Sequence, residues 1–372
     1  MTNLTTVGRP QVHSTGPIVA TDESQDRPRA VTSRTTDYWL TLAGSLVGSL
    51  GLVWLFYTQI LPFSGAIGFV VCWYVVYIAM FATVTAMAHS APIVIDRLWT
   101  AAIAGAAGLV GLALVSTLVY TVVKGWPALH HLNFFTQSES AASPETAPLT
   151  QGGILNALVG SLIELGIATV ISLPLGIATA VYMVEVGGRF ARVVRTVVEA
   201  MTALPDILAG LFIYSFLILS LGYQRNGLAA GTALSVMMLP IIARASYVAL
   251  QVVPGGLREA SLALGASQWR TILRVVIPTA GPGLAQAVIL GMARAVGETA
   301  PVLICSAPSI FFNANPLNNP MNSLPLYIYT AVRSGLPKFE ERGYAAAVVL
   351  VLMVVILFTV AKYIGSSKVA RR

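Results

Sequence analysis

Long apolar runs constrain this chain more than any other feature of its sequence. Eight runs are each close to the roughly 20 residues that a helix needs to span a bilayer. Only 10% of the residues are charged, against about 25% in soluble domains. The sequence therefore predicts an all-α integral membrane protein with about eight transmembrane helices. The runs cover residues 38–60, 65–88, 99–123, 153–184, 203–221, 227–250, 280–306 and 343–364.

The positions of the basic residues predict the orientation of these spans. Lys and Arg gather in cytoplasmic loops. The loops predicted on the same side of the membrane as the N-terminus carry more Lys and Arg than the loops on the other side. We expect both termini in the cytoplasm, with residues 1–37 as a disordered tail because they mix Pro, Ser, Thr and both charge signs. The formal net charge of +7 follows from this loop bias and indicates contact with membrane lipid rather than with nucleic acid.

The most polar internal segment reads QVVPGGLREASLALGASQWRTILRVVIP, residues 251–278. Its pattern predicts two short amphipathic helices joined by a turn. Gly265 can adopt the positive φ that ends a helix, and Ser267 can cap the next helix. We expect residues 254–278 to form a docking knob that projects between two spans and offers an apolar face to a partner protein. The side chains of that face are Leu262, Leu264, Trp269, Ile272, Leu273 and Val276.

Ionisable residues inside predicted spans point to a substrate pathway, because they are costly in lipid and usually face a cavity or a partner. In GMARAVGETAPVL, residues 291–303, Arg294 and Glu298 are four residues apart and share a helix face. Arg suits oxyanions because its guanidinium is planar, permanently charged and forked, and Glu298 would orient it and moderate its charge. The alternative is an internal ion pair that only locks two helices.

Two other acidic residues lie in or beside apolar runs. Glu164 is a lone acid within the run 153–184. It either contacts a polar group on another helix or is a satisfied packing residue, and we favour the second interpretation. Asp206 follows Pro205, and we expect its carboxylate simply to begin a helix at the positive end of the helix dipole.

The docking knob resembles the EAA loop of ABC-importer permeases, where Glu-Ala-Ala, three residues, Gly, nine residues and Ile-x-Leu-Pro follow one another. The resemblance implies that the knob inserts into a groove of an ATPase subunit and transmits its closure to the spans. An ordinary amphipathic loop lying on the membrane is the alternative. Ser for Ala, Val for Ile and Ile for Leu are conservative departures. The matching positions are Glu259, Ala260, Ser261, Gly265, Val275, Ile277 and Pro278.

Other stretches resemble phosphate-importer permeases of the PstA type, among them MTALPDILAGLFIYSFL, RAVGETAPVL and MNSLPLYIYTAVRSGLPKFEERGYAAAVVLVLMVVILF. The resemblance starts near residue 99 and implies a six-span ABC type I importer permease core over residues 99–372. Residues 38–98 would then be an extra N-terminal transmembrane hairpin, which we expect to add packing surface. Residues 244–250, Arg-Ala-Ser-Tyr-Val-Ala-Leu, depart from a family run that contains two acidic residues.

The resemblance also implies partners. The sequence contains no Gly-x-x-x-x-Gly-Lys-[Ser/Thr] phosphate cradle, so ATP and Mg would be bound by partner subunits, and we expect no catalytic residue, cofactor or metal in this chain. The complex would sit in the bacterial plasma membrane and carry phosphate inward by alternating access. A permease for another oxyanion, such as sulfate or molybdate, or for a small solute is the alternative, and a membrane sensor scaffold is a more distant one. The implied partners are a second permease subunit of PstC type as a heterodimer, two ATPase subunits of PstB type, and an extracytoplasmic phosphate-binding protein of PstS type.

Overall fold

The computed structural model describes residues 36–60, 65–141 and 147–367, and no β-strand occurs in those ranges. The tail predicted over residues 1–37 lies outside the described residues except for its last two positions, which begin the first helix. The helices are α1 Thr36–Leu55, α2 Ala66–Ala88, α3 Ala91–Leu129, α4 Asn133–Thr136, α5 Leu155–Val181, α6 Gly188–Thr202, α7 Asp206–Ile213, α8 Gly227–Gln251, α9 Gly255–Ala263, α10 Gln268–Thr271, α11 Ile277–Thr279, α12 Gly281–Val296, α13 Ala300–Cys305, α14 Leu324–Arg333 and α15 Pro337–Ser367.

Six helices in the described ranges are long and apolar enough to cross a membrane, and the number rises to eight if each of two bent pairs is one span. The first pair joins Gly188–Thr202 to Asp206–Ser220 with a bend of 103°, and the second joins Gln268–Thr279 to Gly281–Val296 with a bend of 72°. The two bends lie at the beginning of the apolar runs 203–221 and 280–306, and the helical segments that follow them, Asp206–Ser220 and Gly281–Val296, form the second arm of each pair. Proline explains the first bend, since Pro205 disfavours a helical conformation for the residue before it and is itself extended, with ψ 134°.

The chain divides into two units, Met1–Leu112 and Ala113–Arg372. The boundary falls inside α3, which begins at Ala91 rather than at residue 99 and is 39 residues long. In the first unit, Phe81 is fully buried and stacks on Tyr77 with ring centroids 6.2 Å apart. The second unit contains the helices that carry the predicted site residues.

Helices α5 and α8 pack closely in the second unit because small residues face the contact. A Cβ atom on Gly176 of α5 would lie 2.8 Å from the Ile242 side chain of α8, and one on Gly231 of α8 would lie 2.8 Å from Ile167 of α5. Such small residues let two helix backbones approach without a side chain between them. The bent helices pack against this pair, since α6, α7 and α12 all contact α8.

Two polar segments pack together beside the start of α5, one formed by residues 130–141 and 147–154 and the other by residues 306–323, and side chains of α5 and α15 bond to them. Asn156 donates a hydrogen bond to the carbonyl oxygen of Ser309 at 2.9 Å, and Asn322 donates one to a Glu139 carboxylate oxygen at 3.4 Å. Arg342 donates to the carbonyl oxygens of Pro148 and Gln151 at 2.9 and 2.7 Å. Burial raises the pKa of Glu139 to about 7, against the opposing effects of its Asn156 hydrogen bond and the Arg342 charge. These contacts make the two segments one interlocked cap.

Candidate functional site

Arg294 lies in the last turn of α12 and its side chain is 52% exposed. Its Nη2 donates to both carboxylate oxygens of Asp206, at 2.8 Å to Oδ1 and 2.7 Å to Oδ2. The two residues are 88 positions apart in the sequence. The strongest ion pair of Arg294 is therefore made to another helix and not to its own neighbour.

Asp206 reaches this position because α7 begins there. The extended Pro205 precedes it, and the carboxylate sits in the first turn of α7, where the helix dipole favours a negative charge. The prediction that Asp206 begins a helix agrees with the structure, but its contact with Arg294 was not expected from the sequence. The only available signal was an acidic residue entering an apolar run, which is a weak indicator of one particular partner.

Glu298 is the second carboxylate beside Arg294. Arg294 Nε is 3.6 Å from Glu298 Oε1, and the Glu298 side chain is largely buried, with 17% exposed. Helix α12 ends at Val296, so Glu298 follows the helix in a turn instead of continuing its face. The predicted proximity of Arg294 and Glu298 is thus present, but Asp206 is the closer partner.

A cavity of about 90 Å³ opens at Arg294. Asp206 and Arg294 are its charged lining residues, and Thr202, Met237 and Pro240 are among the others. This volume has room for several waters, since a cavity needs only about 10–15 Å³ to hold one. Arg294 therefore presents a half-exposed guanidinium to a small, partly apolar cavity, and the Asp206 carboxylate holds one side of that guanidinium.

Glu164 is 1% exposed on α5, and its Oε1 has no hydrogen-bond partner within the described residues. It lines a separate cavity of about 10 Å³, to which Ser161, Glu298 and Ser323 also contribute. Neither sequence-based interpretation describes it fully, because this oxygen is neither paired to another helix nor satisfied in packing. The structure thus places Glu164 at the same small cavity as Glu298, but Glu164 is not part of the ion pairs that Arg294 makes with Asp206 and Glu298.

The docking knob has the local structure that its sequence predicts. Helix α9 ends at Ala263, and Gly265 follows with φ +80°. The Ser267 side chain then accepts a hydrogen bond from the Arg270 backbone N–H and caps α10. A hydrogen bond of 2.9 Å between the Ser261 and Thr271 hydroxyl groups ties the two helices together.

The exposed side of the knob carries most of the residues matched by sequence. Glu259, Ala260, Gly265 and Pro278 are exposed, while Ser261, Val275 and Ile277 are half-buried. The apolar side chains Leu262, Leu264, Trp269 and Leu273 are also exposed. The prediction was wrong for Ile272 and Val276, which are buried against Leu250 and Leu284 in the second unit. The available partner-facing surface is therefore narrower than the sequence pattern suggested.

An ion pair that was not expected from the sequence holds the knob to the helical turn that continues α5. Arg258 donates from Nε to Glu185 Oε1 at 3.0 Å, and its Nη2 lies 2.9 Å from the same oxygen. Arg258 also donates to the backbone carbonyl oxygens of Val253 and Leu250. Glu185 lies in the wide helical turn Tyr182–Val186 that continues α5. The ion pair therefore ties the knob to the end of the helix that α5 begins.

Comparison with known proteins gives the family context of this geometry. A family model described as "Binding-protein-dependent transport system inner membrane component" matches residues 172–367. Phosphate transport system permease protein PstA 1 of Mycobacterium tuberculosis is 40% identical over 242 residues, which are 65% of this chain and 79% of that protein. PstA of Haemophilus influenzae is 35% identical over 252 residues, which are 67% of this chain and 86% of that protein.

A solved structure shows a similar fold. The chain matches a bacterial alginate ABC transporter, solved in complex with an alginate pentasaccharide-bound periplasmic protein, with a TM-score of 0.54 and 13% sequence identity. The match covers 73% of this chain and 96% of that one. At this identity the likeness concerns the arrangement of helices alone.

Proposed function

This chain belongs to the family of binding-protein-dependent transport system inner membrane components, and from that membership we propose that it is the PstA-type permease subunit of an ATP-driven phosphate importer. Two of its relatives, at 40% and 35% identity, are named phosphate transport system permease proteins. As a multi-pass inner membrane permease, it works with an ATPase, a binding protein and a second permease subunit. Both of its termini would lie in the cytoplasm.

The observation that carries the proposal is the half-exposed Arg294 at a cavity between broken helices. A guanidinium binds phosphate oxygens through two parallel N–H donors. In the state described by the structure, Asp206 occupies one of those donors and Glu298 lies nearby. Phosphate would compete with Asp206 for the guanidinium, so that the site binds the anion but also releases it. The carboxylates moderate the positive charge and keep the affinity low enough for turnover.

The docking knob would connect this site to ATP hydrolysis. Its exposed residues, among them Leu264 and Trp269, would contact a PstB-type ATPase subunit that holds ATP and Mg. Closure of two such subunits would move the knob, and the Arg258–Glu185 ion pair would pass the movement to the helix α5 side. An extracytoplasmic PstS-type protein would deliver phosphate to the opposite face. A PstC-type subunit would complete the pathway and contribute its own Arg–Glu pair.

Phosphate uptake by the reconstituted four-component complex tests the proposal. Arg294→Gln removes the charge and the fork, and we expect it to abolish radiolabelled phosphate uptake while the complex still assembles with its ATPase subunits. Arg294→Lys keeps the charge but loses the bidentate geometry, so it should retain part of the activity. Arg192→Gln is the control, because Arg192 is an exposed arginine on α6 outside the cavity.

Normal uptake by the Arg294→Gln complex would remove Arg294 from the pathway. Substrate identity has a separate readout, which is stimulation of ATP hydrolysis by the loaded binding protein. Stimulation by a sulfate- or molybdate-loaded protein, with none from a phosphate-loaded one, would reassign the importer to another oxyanion.

A further inference from the structure

A second and larger cavity lies between α8 and α12. Its volume is about 580 Å³, and its lining is aliphatic apart from Thr202, Arg244 and Gln286. No acidic side chain contributes to the lining, whereas Asp206 lines the cavity at Arg294. The two cavities thus differ in the charge that surrounds their arginine.

Arg244 has no counter-charge in the described part of the chain. The ion pairs found there involve Arg195, Arg258 and Arg294, and Arg244 is in none of them. One helical turn further along α8, Tyr247 and Val248 carry no charge. Arg244 belongs to the apolar span Gly227–Gln251, seven residues before its end, which corresponds to about 10 Å along the helix. An uncompensated cation at such a position is costly and marks a pathway or a ligand.

The two cavities adjoin each other, since Thr202 and Ile241 line both of them. On α12, Gln286, Leu290 and Arg294 are spaced by four residues and so share one helix face. Gln286 and Leu290 line the larger cavity and Arg294 lines the smaller one. The larger cavity is the one nearer the docking knob, because α8 ends and α12 begins at the knob.

We propose that Arg244 and Gln286 form a second oxyanion site, on the knob side of Arg294, where phosphate pauses before release into the cytoplasm. The inference rests on the proposed function. An anion leaving Arg294 would move from an arginine neutralised by carboxylates to one without a counter-charge, and Gln286 would supply an additional amide donor. One guanidinium facing an open cavity makes a weak site, which favours release.

The chemistry recognised is a phosphate-type oxyanion, and it has two sources, free inorganic phosphate or an anionic lipid headgroup. Wild-type, Arg244→Gln, Arg244→Lys and Arg192→Gln complexes are reconstituted into vesicles of phosphatidylcholine alone and into vesicles that also contain phosphatidylglycerol. Initial uptake of radiolabelled phosphate is measured with and without inorganic phosphate loaded inside the vesicles. Size-exclusion chromatography confirms assembly of each complex.

For a free-phosphate site, Arg244→Gln lowers maximal uptake about tenfold in both lipids, the expected effect of losing one charge-assisted hydrogen bond. It also weakens inhibition by internal phosphate, while Arg244→Lys keeps most of both properties and Arg192→Gln resembles wild type. The proposal is overturned if Arg244→Gln transports normally, or if its defect occurs only with phosphatidylglycerol, which identifies a lipid contact. If Arg244→Gln fails to assemble, Arg244→Lys is used in its place. The proposal is then overturned if Arg244→Lys takes up less phosphate than wild type but is inhibited by internal phosphate as strongly as wild type.

The proposed function is judged separately. Wild-type uptake together with its loss in Arg294→Gln keeps that function intact even when Arg244 proves irrelevant. A wild-type complex that imports no phosphate refutes the proposed function itself.

Discussion

The ion pair between Arg258 and Glu185 offers the sharpest test of how the docking knob is coupled to the rest of the subunit. The Glu185 side chain is 9% exposed and that of Arg258 is 22% exposed, with a shortest N–O distance of 2.9 Å. Glu185→Gln removes the negative charge with little change in volume. We expect the knob to stay folded but to open more often, because its charge-assisted anchor is gone.

The magnitude follows from the surroundings of Arg258. Replacing the carboxylate by a neutral amide leaves an acceptor oxygen but removes the attraction between the two charges, and a charge-assisted hydrogen bond contributes about 1.5–3 kcal/mol. The larger cost of breaking a fully buried ion pair, about 3–5 kcal/mol, does not apply, because Arg258 is partly exposed and keeps the carbonyl oxygens of Val253 and Leu250 as acceptors. A value of about 2 kcal/mol corresponds to roughly a 30-fold rise in the open population.

Hydrogen exchange of the assembled complex measures this population. Amide protons of residues 255–279 should exchange about 30-fold faster in Glu185→Gln, since local opening controls their exchange. In vesicles the same variant should transport less phosphate for each ATP hydrolysed. A double-mutant cycle with Arg258→Gln should return a coupling energy of about 2 kcal/mol, because both changes remove the same contact.

A second Arg–Glu pair provides the matched control. Arg195 and Glu199 on α6 are 3.8 Å apart and about half exposed, at 48% and 58%. Exposed pairs contribute about 0–1 kcal/mol, so Glu199→Gln should leave both exchange and the transport-to-ATP ratio close to wild type. Unchanged exchange over residues 255–279 in Glu185→Gln, or equal effects of the two variants, would refute the anchoring role.

Three other changes test the cap, the helix packing and the docking surface. Burial raises the pKa of Glu139 from 4.5 to about 7, so its contribution to the free energy of unfolding is fully present below pH 4.5 and decreases by about 3 kcal/mol as the pH rises through 7. Thermal melting in detergent at pH 5 and pH 8 should show this decrease in wild type and not in Glu139→Gln. Gly160→Ala would place a Cβ 1.9 Å from the Asn322 carbonyl oxygen, so its melting temperature should drop by the equivalent of about 1–3 kcal/mol. Gly166→Ala lies on the same helix and its Cβ meets nothing within 4 Å, so it should not melt below wild type, because Ala favours a helix over Gly. Trp269→Ala should weaken binding of the ATPase subunit about 30-fold, as for a hot-spot aromatic residue, when binding is measured by surface plasmon resonance. Trp126→Ala is the control and should show no change, because Trp126 is similarly exposed (62%, against 66% for Trp269) but lies outside the knob.

The sequence by itself determined the features that depend on local periodicity and on single special residues. Apolar runs specify helices of spanning length, because backbone groups in lipid must bond within their own segment. Gly265 and Ser267 specify the turn and the cap of the docking knob, since both effects act within a few residues. The proximity of Arg294 and Glu298 follows in the same way from their spacing.

Only the tertiary structure decided which distant groups meet. Asp206 joins Arg294 across 88 positions, and Glu185 joins Arg258 across 73. The spacing of residues carries no information about such pairs, because they depend on how helices bend and pack. The bend between α6 and α7 places Asp206 beside α12, and packing of the knob turns Ile272 and Val276 inward. An amphipathic pattern shows that a face is apolar, but only packing selects whether that face covers the protein's own helices or remains available to a partner.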